Sequence, residues 1–330
     1  MTKHIEYIDI AKGCAILLVV MGHVTIYSLY TNIENSPLHS FIYSFHMPLF
    51  IFLSGLVASS GIKANVFKDI WSRFRSLIVP GIIVGLIFSL SLGNIYKFIF
   101  DKYHDGYWYL WVLFVFVVIH TLTFNILERK VNRKLLFIIP YLVAIALWYF
   151  CFRIVFSIIP FKYSDALSLP FLVMYYPYYL LATAIKRFNL LKLFNNTLVL
   201  IVCTMVCLFQ SYFTFTFNEY ITTTAAVVTI VSICRKLYTY SEHTCNHTRK
   251  VCSLLSMLGR NSLYIYIFHY FAFPLMNMKW LEPVLLQQPS ILIDIILCFI
   301  PTLFATLLSL GIALVYIKGE RMINKYLFGK

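Results

Sequence analysis

Stretches of about twenty apolar residues recur along this chain with hardly a charge inside them. That recurrence constrains the fold more than any other feature. A bilayer core is about 30 Å thick and a helix rises 1.5 Å per residue, so each stretch has the length of a membrane span. By that rule, spans are expected near 10–30, 41–60, 76–95, 107–127, 135–156, 169–185, 197–216, 220–234, 258–276 and 291–317, the eighth being the shortest. A spanning segment this apolar satisfies its own backbone groups by forming a helix. The expected fold class is therefore all-α: a polytopic integral membrane protein of about ten transmembrane helices, forming one transmembrane domain over 1–330. Composition agrees, with 61% of residues hydrophobic and 12% charged, about half the charged share of a soluble domain. The longest polar stretch, 235–257, is too short to fold alone, and no internal repeat is evident. The first apolar run lacks a small-residue cleavage site and is expected to be retained as a span.

The formal net charge of +14 follows from topology. With the N-terminus placed in the cytoplasm, 22 of the 27 lysines and arginines fall on the inner side; Lys97, Lys102, Arg153, Lys162 and Lys279 fall outside. Such asymmetry sets orientation and predicts both termini in the cytoplasm. It also accounts for the basic residues without nucleic acid. The eight cysteines include no C-x-x-C. Cys203 and Cys207, four apart on one helix face, read as packing residues rather than metal ligands, and no metal is expected.

Against this background, ionisable groups inside spans are candidates for function. The stretch "YIDIAKGCAILLVVMGHVTIY", residues 7–27, carries Lys12 at its head and His23 in its middle. Eleven residues at 100° each end about 20° past three full turns, so the two share a face and stand roughly 16 Å apart along the axis. Asp9 lies on nearly the same face and can pair with Lys12 at i, i+3. In "FHMPLFIFLSGLVASSG", residues 45–61, His46 falls toward the outer interface, while Pro48, Ser54 and Gly55 suit either a kink or a pocket. "WSRFRSLIVPG", residues 71–81, places Arg73 and Arg75 at the inner face. They are either a positive-inside flank or, with Lys12, an anion site. "LGRNSLYIYIFHYF", residues 258–271, aligns Ser262 with His269 seven residues later, amid tyrosines. "FDKYHDGYWYLW", residues 100–111, combines aromatics and acids, as sugar sites do, yet aromatics also form interfacial belts.

Taken in order, these pieces resemble the acyltransferase-3 family of integral membrane acyltransferases, in particular its membrane-only branch that acetylates surface polysaccharides. The matching residues are "IDIAKG" at 8–13, the Lys12-x10-His23 spacing, "MPLFIFLSG" at 47–55, "RFR" at 73–75, "WYLWVLF" at 108–114 and "SLYIYIFH" at 262–269. Lys12 departs from the arginine that many members carry; it keeps the charge and loses the planar fork. The soluble C-terminal domain that some members append is absent from the expected architecture.

The resemblance implies acyl transfer from cytoplasmic acetyl-CoA to a hydroxyl of a bacterial surface glycan, such as O-antigen, capsule or exopolysaccharide, by an inner-membrane enzyme. Lys12, Arg73 and Arg75 would hold the donor's phosphates. His23 would act as general base, or carry the acetyl group itself; imidazole suits either task near neutral pH. Asp9, Ser54 and His269 complete the catalytic candidates, with Ser54, Ser262 or a tyrosine hydroxyl as oxyanion donor. His46, Glu34, Trp108, Tyr109 and Trp111 are the candidates for the acceptor, a glycan or lipid-linked oligosaccharide. Expected partners are thus acyl-CoA, the acceptor and the bilayer, with self-association left open. The rival expectation is a flippase or other transporter for a lipid-linked sugar. Transporters often show repeated halves, and none is evident here. A glycan polymerase would carry a large arginine-rich outer loop, and the outer loops here are short.

Overall fold

The computed structural model describes residues 5–58, 65–130, 139–150, 158–209, 218–243 and 246–328. Among them the chain is helical, with short turns and no strand. In chain order the helices are α1 (Glu6–Val24), α2 (Pro37–Tyr43), α3 (His46–Val57), α4 (Val66–Arg73), α5 (Val79–Ser91), α6 (Ile95–Phe100), α7 (Trp108–Lys130), α8 (Ile139–Phe150), α9 (Phe161–Ala166), α10 (Leu169–Arg187), α11 (Thr197–Leu208), α12 (Asn218–His243), α13 (Asn246–Arg260), α14 (Ser262–Phe268), α15 (Glu282–Leu285) and α16 (Ile291–Phe328). Several starts follow from capping chemistry. Ser36 accepts from the His39 N–H at 3.1 Å with Pro37 at N1, and Asn65 accepts from the Lys68 N–H at 2.9 Å.

Five helical stretches are long and apolar enough to cross a membrane among the described residues: Glu6–Leu29, Pro37–Val57, Val66–Ser91, Glu219–His243 and Ile291–Gly319. The pair His247–Arg260 and Ser262–Leu275, bent by 61°, makes a sixth if counted as one span. The protein is therefore an all-α polytopic membrane protein. The expected spans near 107–127, 135–156 and 197–216 correspond to shorter apolar helices, Trp108–Phe124, Tyr141–Phe150 and Thr197–Leu208. Parts of the last two, and Lys3, Lys63, Arg133, Lys134, Arg153 and Lys330 of the charge count, lie outside the described residues. The expected short eighth span is longer than its apolar core, because α12 continues through the polar residues after 234.

The chain packs as two compact units, one from Pro48–Asn196 and the other from His4–Met47 with Thr197–Lys330. In the second unit, α1 lies against α13 along most of its length and also meets α12 and α16. The α1–α13 approach is so close that a Cβ on Gly13 would collide with the Leu255 carbonyl, and one on Gly259 with the Asp9 carbonyl. Small residues are what allow backbones to meet this way in a membrane. The segment after α1 is tied to the C-terminal part of the same unit. Asp294, fully buried in the first turn of α16, accepts from the Tyr30 hydroxyl at 2.6 Å and the Ser36 hydroxyl at 2.9 Å. Glu282 accepts from the Thr31 N–H at 2.9 Å, and this hydrogen bonding holds its carboxyl below the usual range.

In the Pro48–Asn196 unit, α7 packs on α4 and α10, α10 on α8, and α6 on α5 and α9. Aromatic contacts fill its core: Phe116 meets Tyr176 and Tyr179 at 5.2 and 5.6 Å, and Trp108 stacks on Tyr175 at 5.3 Å.

Candidate active site

His23 stands one residue before the end of α1, where the helix widens into a π-helical turn, Thr25–Leu29. Such turns are frequent at functional sites. The chain returns 246 residues later to place His269 beside it: His23 Nδ1 lies 2.7 Å from His269 Nε2, with the rings within 8° of parallel. His269 is fully buried at the junction of α14 with the 3-10 turn His269–Leu275. Its Nδ1 is 2.7 Å from the Tyr266 carbonyl and 3.1 Å from the Ile265 carbonyl.

These contacts fix the direction of the hydrogen bonds. A carbonyl only accepts, so His269 Nδ1 carries a proton. With both rings neutral, His269 Nε2 then accepts, His23 Nδ1 donates, and His23 Nε2 keeps its lone pair. Tyr270 marks that side, its hydroxyl 3.5 Å from His23 Nε2. Tyr27, Tyr43 and Phe273 surround the imidazole with ring centroids at 6.0, 6.3 and 6.3 Å. The arrangement is a base whose second nitrogen is oriented by a fixed partner, the general logic of an activated proton acceptor.

His46 is nearby in chemistry and in space. It is buried, its Nδ1 is 2.9 Å from the Ile42 carbonyl, and Tyr43 neighbours both it, at 4.4 Å, and His23. Lys12 is half-buried on α1, on the same helix as His23 and eleven residues before it. Asp9 is buried at the α1–α13 crossing. Roughly 21 Å of helix separates Asp9 from His23. Glu34 is exposed in a short 3-10 turn, Ile33–Asn35.

The remaining candidates belong to the other unit. Ser54 and Tyr109 are hydrogen bonded at 3.0 Å. Trp108 is buried against Phe171 and Tyr175, and Trp111 donates to the Leu167 carbonyl at 3.0 Å. Arg73 ends α4, Arg75 lies in the π-helical turn Phe74–Ile78, and both are exposed. The His23–His269 pairing and the place of Tyr270 are not legible in the sequence. The only signal was that each is a polar group within an apolar run.

A model described as an acyltransferase domain, Acyl_transf_3, matches residues 5–310, nearly the whole chain and both units. The chain belongs to the acyltransferase-3 family. Among proteins of known name, this family member is 34% identical over 130 residues to the nodulation protein NolL of Mesorhizobium japonicum, a match covering 35% of each chain. It is 33% identical over 137 residues to the nodulation protein NolL of Sinorhizobium fredii, covering 37% of each. This chain thus spans little more than a third of the length of the curated relatives it matches. No solved structure matches it.

Proposed function

We propose that this acyltransferase-3 protein is a membrane O-acetyltransferase that moves an acetyl group from cytoplasmic acetyl-CoA to a hydroxyl of a bacterial surface glycan, with His23 as general base. The observation that carries the proposal is the His23 Nδ1–His269 Nε2 contact at 2.7 Å, between a half-buried imidazole on α1 and a fully buried one. His23 Nε2 takes the proton of the acceptor hydroxyl as its oxygen attacks the thioester carbonyl. The new C–O bond forms, the C–S bond breaks, and the proton on His23 passes to the departing thiolate. His269 is proposed to orient the base, and the Tyr270 hydroxyl, 3.5 Å from His23 Nε2, is proposed as the oxyanion donor.

Lys12, roughly 16 Å from His23 along α1, is proposed to meet the donor's phosphates. Arg73 and Arg75 are proposed for phosphate binding on the chemistry of the guanidinium. His46 and Glu34 are proposed for the acceptor. Ten spans, cytoplasmic termini and a place in the bacterial inner membrane complete the proposal.

The test is transfer of label from radiolabelled acetyl-CoA into surface polysaccharide, comparing membranes that carry the intact protein with membranes that carry His23→Ala at equal expression. Label with the intact protein alone is expected. Equal label from both would remove His23 from the chemistry. Label from neither in the native host would favour a transporter for a lipid-linked sugar.

A further inference from the structure

The Pro48–Asn196 unit holds a small cavity of about 10 Å³ lined by His120 of α7, by Thr183, Lys186 and Arg187 of α10, and by the rings of Phe124 and Tyr141. That is room for one water-sized oxygen. Among the described residues no carboxylate lines it. Two of the lining side chains are cations held in place. Lys186 Nζ donates to the Ala58 carbonyl at 2.6 Å, which uses one of its three protons. The Arg187 guanidinium lies 4.9 Å from the centre of the Phe124 ring, and the His120 imidazole lies 4.1 Å from that same ring.

Lysines and arginines in a last helical turn commonly serve the exposed carbonyls there. That role does not involve His120. Its side chain is buried, and its Nδ1 has no hydrogen-bond partner among the described residues. A buried polar atom in that state is costly and calls for an explanation. An imidazole N–H, an ammonium and a guanidinium around one oxygen-sized space share one chemistry, which is donation to an anion.

The same unit supplies a link to the donor. The His120 ring meets Tyr179 edge-on at 5.7 Å, and Arg73 is within electrostatic reach of Tyr179. The cavity thus neighbours an arginine proposed above for the donor's phosphates. Coenzyme A carries two kinds of phosphate. Its diphosphate is tethered at both ends, between ribose and the pantetheine arm. Its 3′-phosphate is terminal and close to dianionic near neutral pH, as phosphate monoesters are. A space for one oxygen, flanked by two cations, suits the tip of a terminal phosphate better than a linker that must leave on both sides.

We infer that His120, Lys186 and Arg187 bind the 3′-phosphate of the acyl-CoA donor and set a preference for CoA over its 3′-dephosphorylated form. The inference rests on the acetyltransferase proposal for the identity of the donor, and on the cavity and its lining for the phosphate. It leaves the diphosphate to Arg73 and Arg75.

The test is equilibrium binding of CoA and of 3′-dephospho-CoA to the full-length protein in phosphatidylcholine nanodiscs, with no turnover required. The unaltered protein should bind CoA about tenfold or more tighter, the scale of a charge-assisted hydrogen bond. Lys186→Gln with Arg187→Gln should abolish that preference by weakening CoA alone, leaving dephospho-CoA within about twofold. The retained dephospho-CoA binding reports a folded protein. His120→Phe, a second and independent variant, should cut the preference about threefold or more. Arg73→Ala with Arg75→Ala should weaken both ligands alike. Equal affinity of the unaltered protein for the two ligands, or a cavity variant that weakens both alike, would overturn the inference and leave the cavity to solvent. Phosphatidic acid in the nanodisc, a lipid phosphate monoester, should leave the preference unchanged; its loss there would give the cavity to a lipid headgroup and overturn the inference too. The donor proposal is judged apart. If the unaltered protein binds neither ligand, acyl-CoA fails as donor and the inference falls with it, whereas equal binding of both leaves the donor standing and sinks the 3′-phosphate site alone.

Discussion

Replacing His269 tests how the base is held. In His269→Phe a ring of similar size remains, but the nitrogen that accepts from His23 at 2.7 Å and the one that donates to the Tyr266 carbonyl at 2.7 Å are both lost. The Ile265 carbonyl keeps the His269 backbone N–H as its donor. The uncompensated group is the His23 Nδ1–H, enclosed by Tyr43, Tyr270 and Phe273. A buried donor left without a partner costs about 1–3 kcal/mol. If that cost falls on the catalytic orientation, kcat drops about 5- to 150-fold, at roughly 1.4 kcal/mol per tenfold. The KM for acetyl-CoA should not change, because the donor's phosphates are assigned to other residues. His269→Gln offers an amide oxygen to His23 and should recover most of the loss. Initial rates on purified protein, normalised to monodisperse enzyme, give the answer. Full activity in His269→Phe, or a fall in yield at unchanged kcat, would refute the orienting role.

Further perturbations follow from packing and charge. Gly259→Ala puts a methyl against the Asp9 carbonyl and should destabilise the fold by about 1–3 kcal/mol through overpacking, read as a lower midpoint of thermal unfolding in detergent. Asp294→Ala strands the Tyr30 and Ser36 hydroxyls and should cost roughly 2–4 kcal/mol, with Asp294→Asn milder; protease sensitivity of the 30–38 segment would report it. Arg73→Ala with Arg75→Ala should raise the KM for acetyl-CoA while leaving kcat within about twofold, since uniform binding is what such a change removes.

Much of the architecture was legible because lipid imposes a strict length on apolar segments. The stretch 291–317 emerges inside α16 as a membrane-length helix; 169–185 emerges as a helix, α10, that is not among the membrane-length apolar stretches. The polar segment 235–257 was not legible as helix. Its lysines, arginines and histidines mask a helical repeat in which Cys252 and Ser256 are buried while Arg249 and Lys250 are exposed. Periodicity mixed with so much charge reads as loop until a partner helix is known. The site divides in the same way. His23 announced itself as an imidazole in an apolar run. His269 was a candidate as well, but its pairing with His23 was not legible, because a hydrogen bond between residues 246 apart depends on how α1 and α14 are brought together. Gly13 was visible within "IDIAKG", but its purpose depends on Leu255 across the crossing. The contacts of Trp108 with Phe171 and Tyr175 were likewise not legible, because they depend on how α7 and α10 pack.

The most direct measurement is a single-turnover assay with purified protein, radiolabelled acetyl-CoA and the surface glycan acceptor, comparing the intact protein with His23→Ala and His23→Gln. General-base catalysis contributes about 10²- to 10⁴-fold, so both variants should transfer acetyl slower by that order while still binding acetyl-CoA. Transfer at the intact rate by either variant would contradict the assignment of His23 as the base.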